Sequence, residues 1–205
     1  MSGSRPPRPR TNRTRERIVD AFTERARSLG PRSVVMAELA RDLGISTRTL
    51  YKHFRSKAEL MHEVIGRYAE AAARDQESRF SRNLDPLERI LETAYAWLDN
   101  RDRFSAVFWR EAHQQYPEAV EVWRATRRRL VENAKERALP DLPDDLSPDL
   151  AIRLLFAVIE EAADPVRCDR LGISRHEAVS LAARVFVRGA VRPPRLRLVE
   201  TPEPD

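Results

Sequence analysis

This sequence is poor in cysteine, in glycine and in long apolar runs. Its 205 residues include one cysteine, Cys168, which can neither close a disulfide within the chain nor join other thiolates around zinc. The six glycines are scattered and alternating apolar runs are few, which argues against a glycine-rich phosphate loop and against a β-sheet. No run approaches the roughly 18 apolar residues of a membrane span, and the start "MSGSRPPRPR" lacks a signal peptide's apolar segment. We expect a cytoplasmic protein that does not engage a membrane.

Charge is distributed unevenly along the chain. Residues 1–60 hold 14 Lys and Arg against 6 Asp and Glu, a net of +8. Residues 61–205 hold 23 against 26, a net of −3. The excess of +5 over the whole chain therefore arises in the N-terminal part, which predicts a polyanionic partner for that part.

Apolar residues recur at helical spacing along most of the chain, which predicts an all-α fold of about nine helices. The first helix carries Ile18 and Phe22 and ends at Gly30. Pro165 is expected to end or kink the eighth helix. Later helix starts are marked by capping residues or by proline: Ser46, Ser56 with Glu59, Asp85 with Pro86, Pro117, Ser147 with Pro148, and Ser174 with Glu177.

The segment "LARDLGISTRTLYKHFRSKAEL" at residues 39–60 has the pattern of a helix-turn-helix. Two short helices meet at Gly44, and their apolar residues would face inward. The outer face of the second helix is left with hydrogen-bonding side chains. The alternative is a surface helix whose charges are merely solvated.

These polar side chains suit the DNA major groove, which admits an α-helix. Arg48 can bond bidentately to guanine, Thr47 can meet a base edge or a thymine methyl group, and Lys52 can contact a base or a phosphate. Backbone phosphates are the expected partners of Thr49, Tyr51, His53 and Lys57. Arginines of the N-terminal arm, including Arg10 and Arg13, can follow the backbone or enter the minor groove.

The same segment resembles the DNA-binding domain of TetR-type transcriptional regulators. The resemblance covers about residues 11–60 and rests on these matches: Gly44, Ile45, Ser46, Thr49, Leu50, Tyr51, His53, Phe54, Ser56, Lys57 and Leu60. Family members usually place Ser or Thr at the start of the second helix, where this chain has Val35. The resemblance therefore implies a lost cap and phosphate contact there, with Ser33 as the substitute cap.

The resemblance also implies a division of the chain by function. Residues 1–12 are expected to be a disordered basic arm, 13–60 a three-helix DNA-binding domain, 61–191 a helical ligand-binding and dimerisation domain, and 192–205 a disordered tail. Residues 154–162 and 178–189 carry apolar side chains on more than one helix face, so we assign them to the dimer seam. Burial inside the monomer would explain the same pattern.

A ligand cavity is expected among the aromatic residues of the C-terminal domain, because such sites are mostly apolar with few polar groups. The candidate ligand-binding residues are Trp97, Phe104, Phe108, Trp109, His113 and Trp123. Aromatic residues at helical spacing can equally be core.

Arg127, Arg128 and Arg129 are expected to form a solvated face. His62 and Glu63 begin a zinc-helix pattern whose second histidine is replaced by Gly66, so no metal or cofactor is expected.

Taken with these patterns, the resemblance implies a homodimer that binds a palindromic operator in double-stranded DNA, as a repressor released by a small hydrophobic effector. A first alternative is the same DNA reader without a small-molecule effector, under the control of a protein partner or acting as an activator. A helical enzyme is disfavoured, because the sequence has no paired carboxylates and no nucleophile with a base at catalytic spacing. A nonspecific packaging protein remains a further alternative, and raised salt would weaken its binding most.

Overall fold

The computed structural model describes residues 10–82, 84–138, 142 and 146–190. This part of the chain is all-α, as predicted, with one 3₁₀ turn at Pro31–Ser33. Its ten helices are α1 (Arg10–Leu29), α2 (Met36–Asp42), α3 (Thr47–His53), α4 (Lys57–Phe80), α5 (Pro86–Arg101), α6 (Ala106–Gln115), α7 (Pro117–Ala138), α8 (Pro148–Ala162), α9 (Pro165–Leu171) and α10 (Arg175–Ala190).

The predicted number of helices is one too low, because Pro165 begins a helix. The side chain of Asp164 caps α9 by accepting a hydrogen bond from the backbone N–H of Arg167 at 2.9 Å. Proline is well suited to the first helical position, where its missing N–H would have no partner within the helix. Gly172, with a φ of +64°, ends α9 in the left-handed conformation.

Helix α1 begins inside the segment that was expected to be a disordered arm. Residues 10–12 form its first turn, so the prediction is wrong for them. They have no apolar face and therefore gave no periodic signal, yet a helix that is already nucleated can extend through polar residues. The rest of the predicted arm, residues 1–9, and the predicted tail, residues 192–205, lie outside the described residues.

The chain forms two compact units. Residues 1–74 and 100–128 make up the first unit, and residues 75–99 and 129–205 make up the second. Helices α4, α5 and α7 each contribute residues to both units. The boundary predicted at residue 60 divides the chain by function, whereas these two units divide it by packing. The functional boundary remains a prediction.

The core of the first unit joins the helix-turn-helix to α6. Phe22 of α1, Leu50 of α3 and Met61 of α4 are fully buried, and they belong to one cluster with Phe108 and Ala112 of α6. The N-terminal helices therefore do not have a separate core of their own. Their packing depends on residues much further along the chain.

Helices α8 and α10 pack against each other in the second unit, and each also presents an apolar row to solvent. Their buried rows include Leu155, Ile159, Val179 and Ala183. The outer rows are Leu150, Leu154 and Val158 on α8, and Leu181 and Val185 on α10, with exposed fractions between 40 and 69%. Among the described helices, none combines the length and the apolar character needed to cross a bilayer.

Helix α2 begins without a side-chain cap. Val35 holds the N-cap position with extended backbone (φ −89°, ψ 120°). Its side chain makes no hydrogen bond with the free amides of the first turn. Ser33 does not substitute, because its hydroxyl donates to the carbonyl of Gly30 at 2.7 Å. The expectation that Ser33 caps α2 is therefore wrong: it lies within the 3₁₀ turn, and its hydroxyl is engaged there.

Replacing the exposed Val35 by threonine should stabilise the protein. The backbone already has the extended conformation of a cap, so a hydroxyl at this position can accept the N–H of Glu38 in the first turn, and such caps contribute about 1 kcal/mol. Thermal or denaturant unfolding measures the gain. Val35→Ala, which provides no side-chain acceptor, is the control. Equal stability of the two variants would contradict the assignment of Val35 as an uncapped helix start.

Candidate DNA-binding surface

The turn between α2 and α3 has the geometry of a helix-turn-helix. Gly44 has a φ of +67°, a conformation that glycine adopts without the strain that a side chain would cause. Its N–H donates to the carbonyl of Arg41, and the N–H of Ile45 donates to the carbonyl of Ala40, both at 3.0 Å. Ala40 is buried, and its small side chain allows the two helices to approach closely.

Helix α3 is fixed at its start by a cap and underneath by two apolar side chains. The hydroxyl of Ser46 accepts the N–H of Thr49 at 3.0 Å, as predicted. Leu50 within α3 and Phe54 just after it are fully buried. The polar residues of α3 are therefore left on its outer side.

The structure brings six of the predicted DNA-binding residues together on this one helix. Thr47, Arg48, Tyr51 and Lys52 are exposed, whereas Thr49 and His53 are half-buried. The hydroxyl of Thr49 lies 2.8 Å from that of Ser46, so it takes part in the helix start. Arg48 and Lys52 are one helical turn apart and give the exposed side its positive charge.

Lys57 differs from the other predicted contacts because it is partly withdrawn from solvent. It is the first residue of α4, and its Nζ donates to the carbonyl of Arg32 at 3.5 Å. Burial lowers the pKa of Lys57, and the negative charge of Glu111 partly offsets this effect. Glu111 also accepts the backbone N–H of Arg32 at 2.8 Å. A phosphate contact by Lys57 remains a prediction.

The predicted arm contacts lie at the start of α1. Arg13 is exposed on this helix, and Arg10 is its first residue. Contacts between these two arginines and DNA remain predictions. The arginines at positions 5 and 8 lie outside the described residues.

Three arginines of α1 support the helix-turn-helix, and the sequence analysis missed all three. Arg17 donates to the carbonyl of Leu43 at 3.0 Å, and Arg25 donates to Asp42 at 2.7 Å. Arg15 donates to the carbonyl of His53 at 3.2 Å. A signal for Arg15 existed in the spacing, since it precedes the buried residues 18, 19 and 22 of α1 by three, four and seven positions and so shares their helix face.

Arg15 also pairs with Glu63 of α4. Its Nη2 lies 2.7 Å from Glu63 Oε2, and Arg67 bonds to the other carboxylate oxygen at 2.8 Å. Burial alone would raise the pKa of Glu63, but the hydrogen bonds and charges of Arg67 and Arg15 outweigh burial and hold that pKa below its usual value. The carboxylate is therefore ionised at neutral pH and can bind both guanidinium groups.

Comparison with known proteins agrees with this geometry. Residues 18–64 match the model of the bacterial regulatory proteins of the tetR family, and this match includes all of α2 and α3. The helix-turn-helix of this chain is therefore similar to the domain that this model describes. Among curated proteins, none matches the chain.

Solved structures extend the likeness to the whole TetR fold. A regulator from Saccharomonospora viridis in complex with choline has a TM-score of 0.69 at 19% identity, with 86% of this chain and 96% of that chain covered. The TetR family regulator PfmR from Thermus thermophilus has 0.59 at 22% identity, with 88% and 100% covered. The flavonoid-responsive regulator FrrA has 0.55 at 20% identity, with 88% and 98% covered. These identities establish the fold alone.

Most of the aromatic residues predicted to bind a ligand pack in the core of the first unit. Phe104 and Phe108 are buried and stacked with their ring centroids 4.1 Å apart. The ring of Tyr68 lies 4.5 Å from that of Trp123 and 5.7 Å from that of Trp109. These rings contact one another, and their role as ligand-binding residues remains a prediction.

The predicted ligand residues do not form a single cluster. Trp97 belongs to the second unit, where its ring lies 6.4 Å from that of Phe156. His113 is exposed on α6, and its Nδ1 lies 2.7 Å from the carbonyl of Trp109. Helical spacing shows which residues share a face but not which core that face enters, and this explains why the sequence placed all six together.

A polar cleft of about 590 Å³ lies in the first unit. None of the six predicted ligand residues lines this cleft; its walls include Arg15, His62, Glu63, Tyr116 and Glu118. Within the described residues, no group of three or more His, Cys, Asp or Glu side chains is placed to hold a metal ion.

Proposed function

We propose that this protein is a dimeric, sequence-specific regulator that binds a palindromic operator in double-stranded DNA through α3. The observation that carries the proposal is the exposed edge formed by Thr47, Arg48, Tyr51 and Lys52. This edge belongs to a helix-turn-helix within a segment whose net charge is +8. Solvation alone would not require threonine and tyrosine beside the two cations on a helix of this motif.

Two kinds of contact follow from the chemistry of this edge. Arg48 can donate two parallel hydrogen bonds to guanine, and Thr47 can approach a base edge or a thymine methyl group. Tyr51 and His53 are suited to phosphate oxygens, which fix the register of the helix without reading sequence. Lys52 can serve either purpose.

A second copy of the chain is the proposed partner. Helix α3 has seven residues and can reach only a few base pairs, whereas two copies related by a two-fold axis read two half-sites. The outer apolar rows of α8 and α10 are exposed in the single chain. Burying these rows against a second copy would remove them from water, and four helices of two copies would then share one seam.

The finer proposal is a repressor that is released by a small molecule. Two of the similar solved structures are linked to small molecules: one is a regulator in complex with choline, and the other is a flavonoid-responsive regulator. Release requires that the ligand bind more tightly to a conformation in which the two recognition helices no longer match successive major grooves. Helix α6 shares a core with the helix-turn-helix, so a change in α6 can reach α3.

The alternative is the same DNA reader without a small-molecule effector. The aromatic cluster favours this alternative, because its rings already pack against one another: Phe104, Phe108, Trp109 and Trp123. A ligand would have to displace some of these rings. Control by a protein partner would not require that rearrangement.

Selection of bound sequences from a random DNA pool should return a palindrome, and Arg48→Ala should relax the preference at one position of each half-site. The expected loss of discrimination there is about 1 to 3 kcal/mol, because the bidentate contact is lost. Lys57→Ala should instead weaken binding to all sequences and reduce the salt slope by about one. Arg74→Ala, which removes an exposed arginine that pairs with Glu70 on α4, is the control. Equal losses on selected and scrambled DNA for Arg48→Ala would contradict base reading.

Leu181→Glu combined with Val185→Glu should convert the dimer into a monomer. Both side chains are more than half exposed in the single chain, so folding should survive, whereas a seam between two copies cannot bury two extra carboxylates. Light scattering after gel filtration measures the mass. Leu29→Glu changes a similarly exposed leucine of the first unit and should leave the mass unchanged. A wild-type protein that is monomeric on operator DNA would contradict the proposal.

An effector that enters the aromatic cluster should change tryptophan emission and operator affinity together. Trp97→Phe leaves Trp109 and Trp123 as the only emitting tryptophans of the chain's three, and both belong to the cluster. Titration with choline, a flavonoid and small aromatic acids, in the presence of operator DNA, tests the link. Parallel changes in both signals support the released repressor. Operator affinity that no compound alters would favour the effector-free alternative.

A further inference from the structure

We propose that Arg15 is a positioning residue that sets the orientation of the recognition helix α3 and thereby the sequence specificity of the protein. This inference rests on the proposed DNA-binding function. Arg15 lies on α1 and needs no contact with DNA for this role. It acts through the end of α3.

Two contacts of Arg15 lie at the C-terminal end of α3, and a third is with α4. Its Nη1 donates to the carbonyl of His53, the last residue of α3, at 3.2 Å. Its guanidinium carbon lies 4.2 Å from the centre of the Phe54 ring. Its Nη2 pairs with Glu63 of α4 at 2.7 Å. One side chain therefore joins α1, the end of α3 and α4.

Such an anchor matters because α3 is short. Seven residues are far fewer than the roughly 12 to 15 that an isolated helix needs, so packing and capping must hold α3 in place. Ser46 fixes its start. At its end, the carbonyl groups lack partners within the helix and carry partial negative charge, which a guanidinium satisfies.

Glu63 in turn fixes Arg15. Its carboxylate receives Arg15 on one oxygen and Arg67 on the other, and both guanidinium groups favour its ionised form. The side chain of Arg15 is 32% exposed, so solvent does not fully screen the pair. Removing either Arg15 or Glu63 should loosen the end of α3.

Opposite charge changes separate positioning from simple electrostatics. Arg15→Gln removes a positive charge and Glu63→Gln removes a negative one, so an effect of charge alone would move the affinity for all DNA in opposite directions. If Arg15 positions α3, each variant should lower the ratio of the affinity for the selected operator to the affinity for scrambled DNA by about ten-fold. The double variant should lose little more than either single one, because both substitutions break the same link.

Two further variants serve as controls. Arg27→Gln removes an exposed arginine of the same helix whose partner, Glu24, also lies on α1, and it should leave the ratio within about two-fold of wild type. Arg15→Lys keeps the charge but lacks the planar fork that serves carbonyl and carboxylate together. It should bind scrambled DNA as wild type does and still lower the ratio. If Arg15→Gln fails to fold, Arg15→Lys and Glu63→Gln carry the test.

Amide hydrogen exchange provides a second readout. Exchange should accelerate in α3 of the Arg15 and Glu63 variants while α1 keeps its protection. An unchanged affinity ratio together with unchanged exchange in α3 would overturn the positioning role, even if a preferred operator exists. Selection that yields no preferred sequence would instead overturn the proposed function and this inference with it.

Discussion

The burial of Leu50 and Phe54 beneath α3 is the constraint on which the candidate site depends. A helix of seven residues does not persist in water by itself, and these two side chains attach it to the core of the first unit. Because they occupy its inner side, the outer side of α3 is left to Thr47, Arg48, Tyr51 and Lys52. The polar edge that we propose to read DNA is thus a consequence of packing as much as of its own composition.

This core does not stop at the helix-turn-helix. Phe108 and Ala112 of α6 are buried in the same cluster as Phe22 and Leu50. The carboxylate of Glu111 adds a polar link, since it accepts the N–H of residue 32 in the turn that precedes α2 and occupies the space where a side chain at residue 30 would lie. A displacement of α6 would therefore disturb the packing of the helix-turn-helix.

Much of the helix-turn-helix could be predicted because its signals are local. The cap at Ser46, the turn at Gly44 and the buried Leu50 follow from residues only a few positions apart. The spacing places Arg15 on the buried face of α1, but the partners of Arg15 and Glu111 could not be assigned in this way, because they lie 38 to 79 positions away. The aromatic residues were grouped too broadly for a related reason: spacing predicts that residues 97 and 104 face inward but not that they enter different cores.

Any effector that enters the aromatic cluster must compete with contacts that also hold α4. The ring of Tyr68 on α4 packs against Phe104, Trp109 and Trp123, and its hydroxyl donates to the carbonyl of Asn100 at 2.8 Å. Each ring pair contributes about 0.5 to 1.5 kcal/mol beyond burial, so losing two or three of them is comparable to the roughly 1 to 3 kcal/mol of a typical allosteric coupling. Displacing Tyr68 would therefore weaken the packing of α4, whose first turn follows α3 in the chain, on the energetic scale of such a coupling.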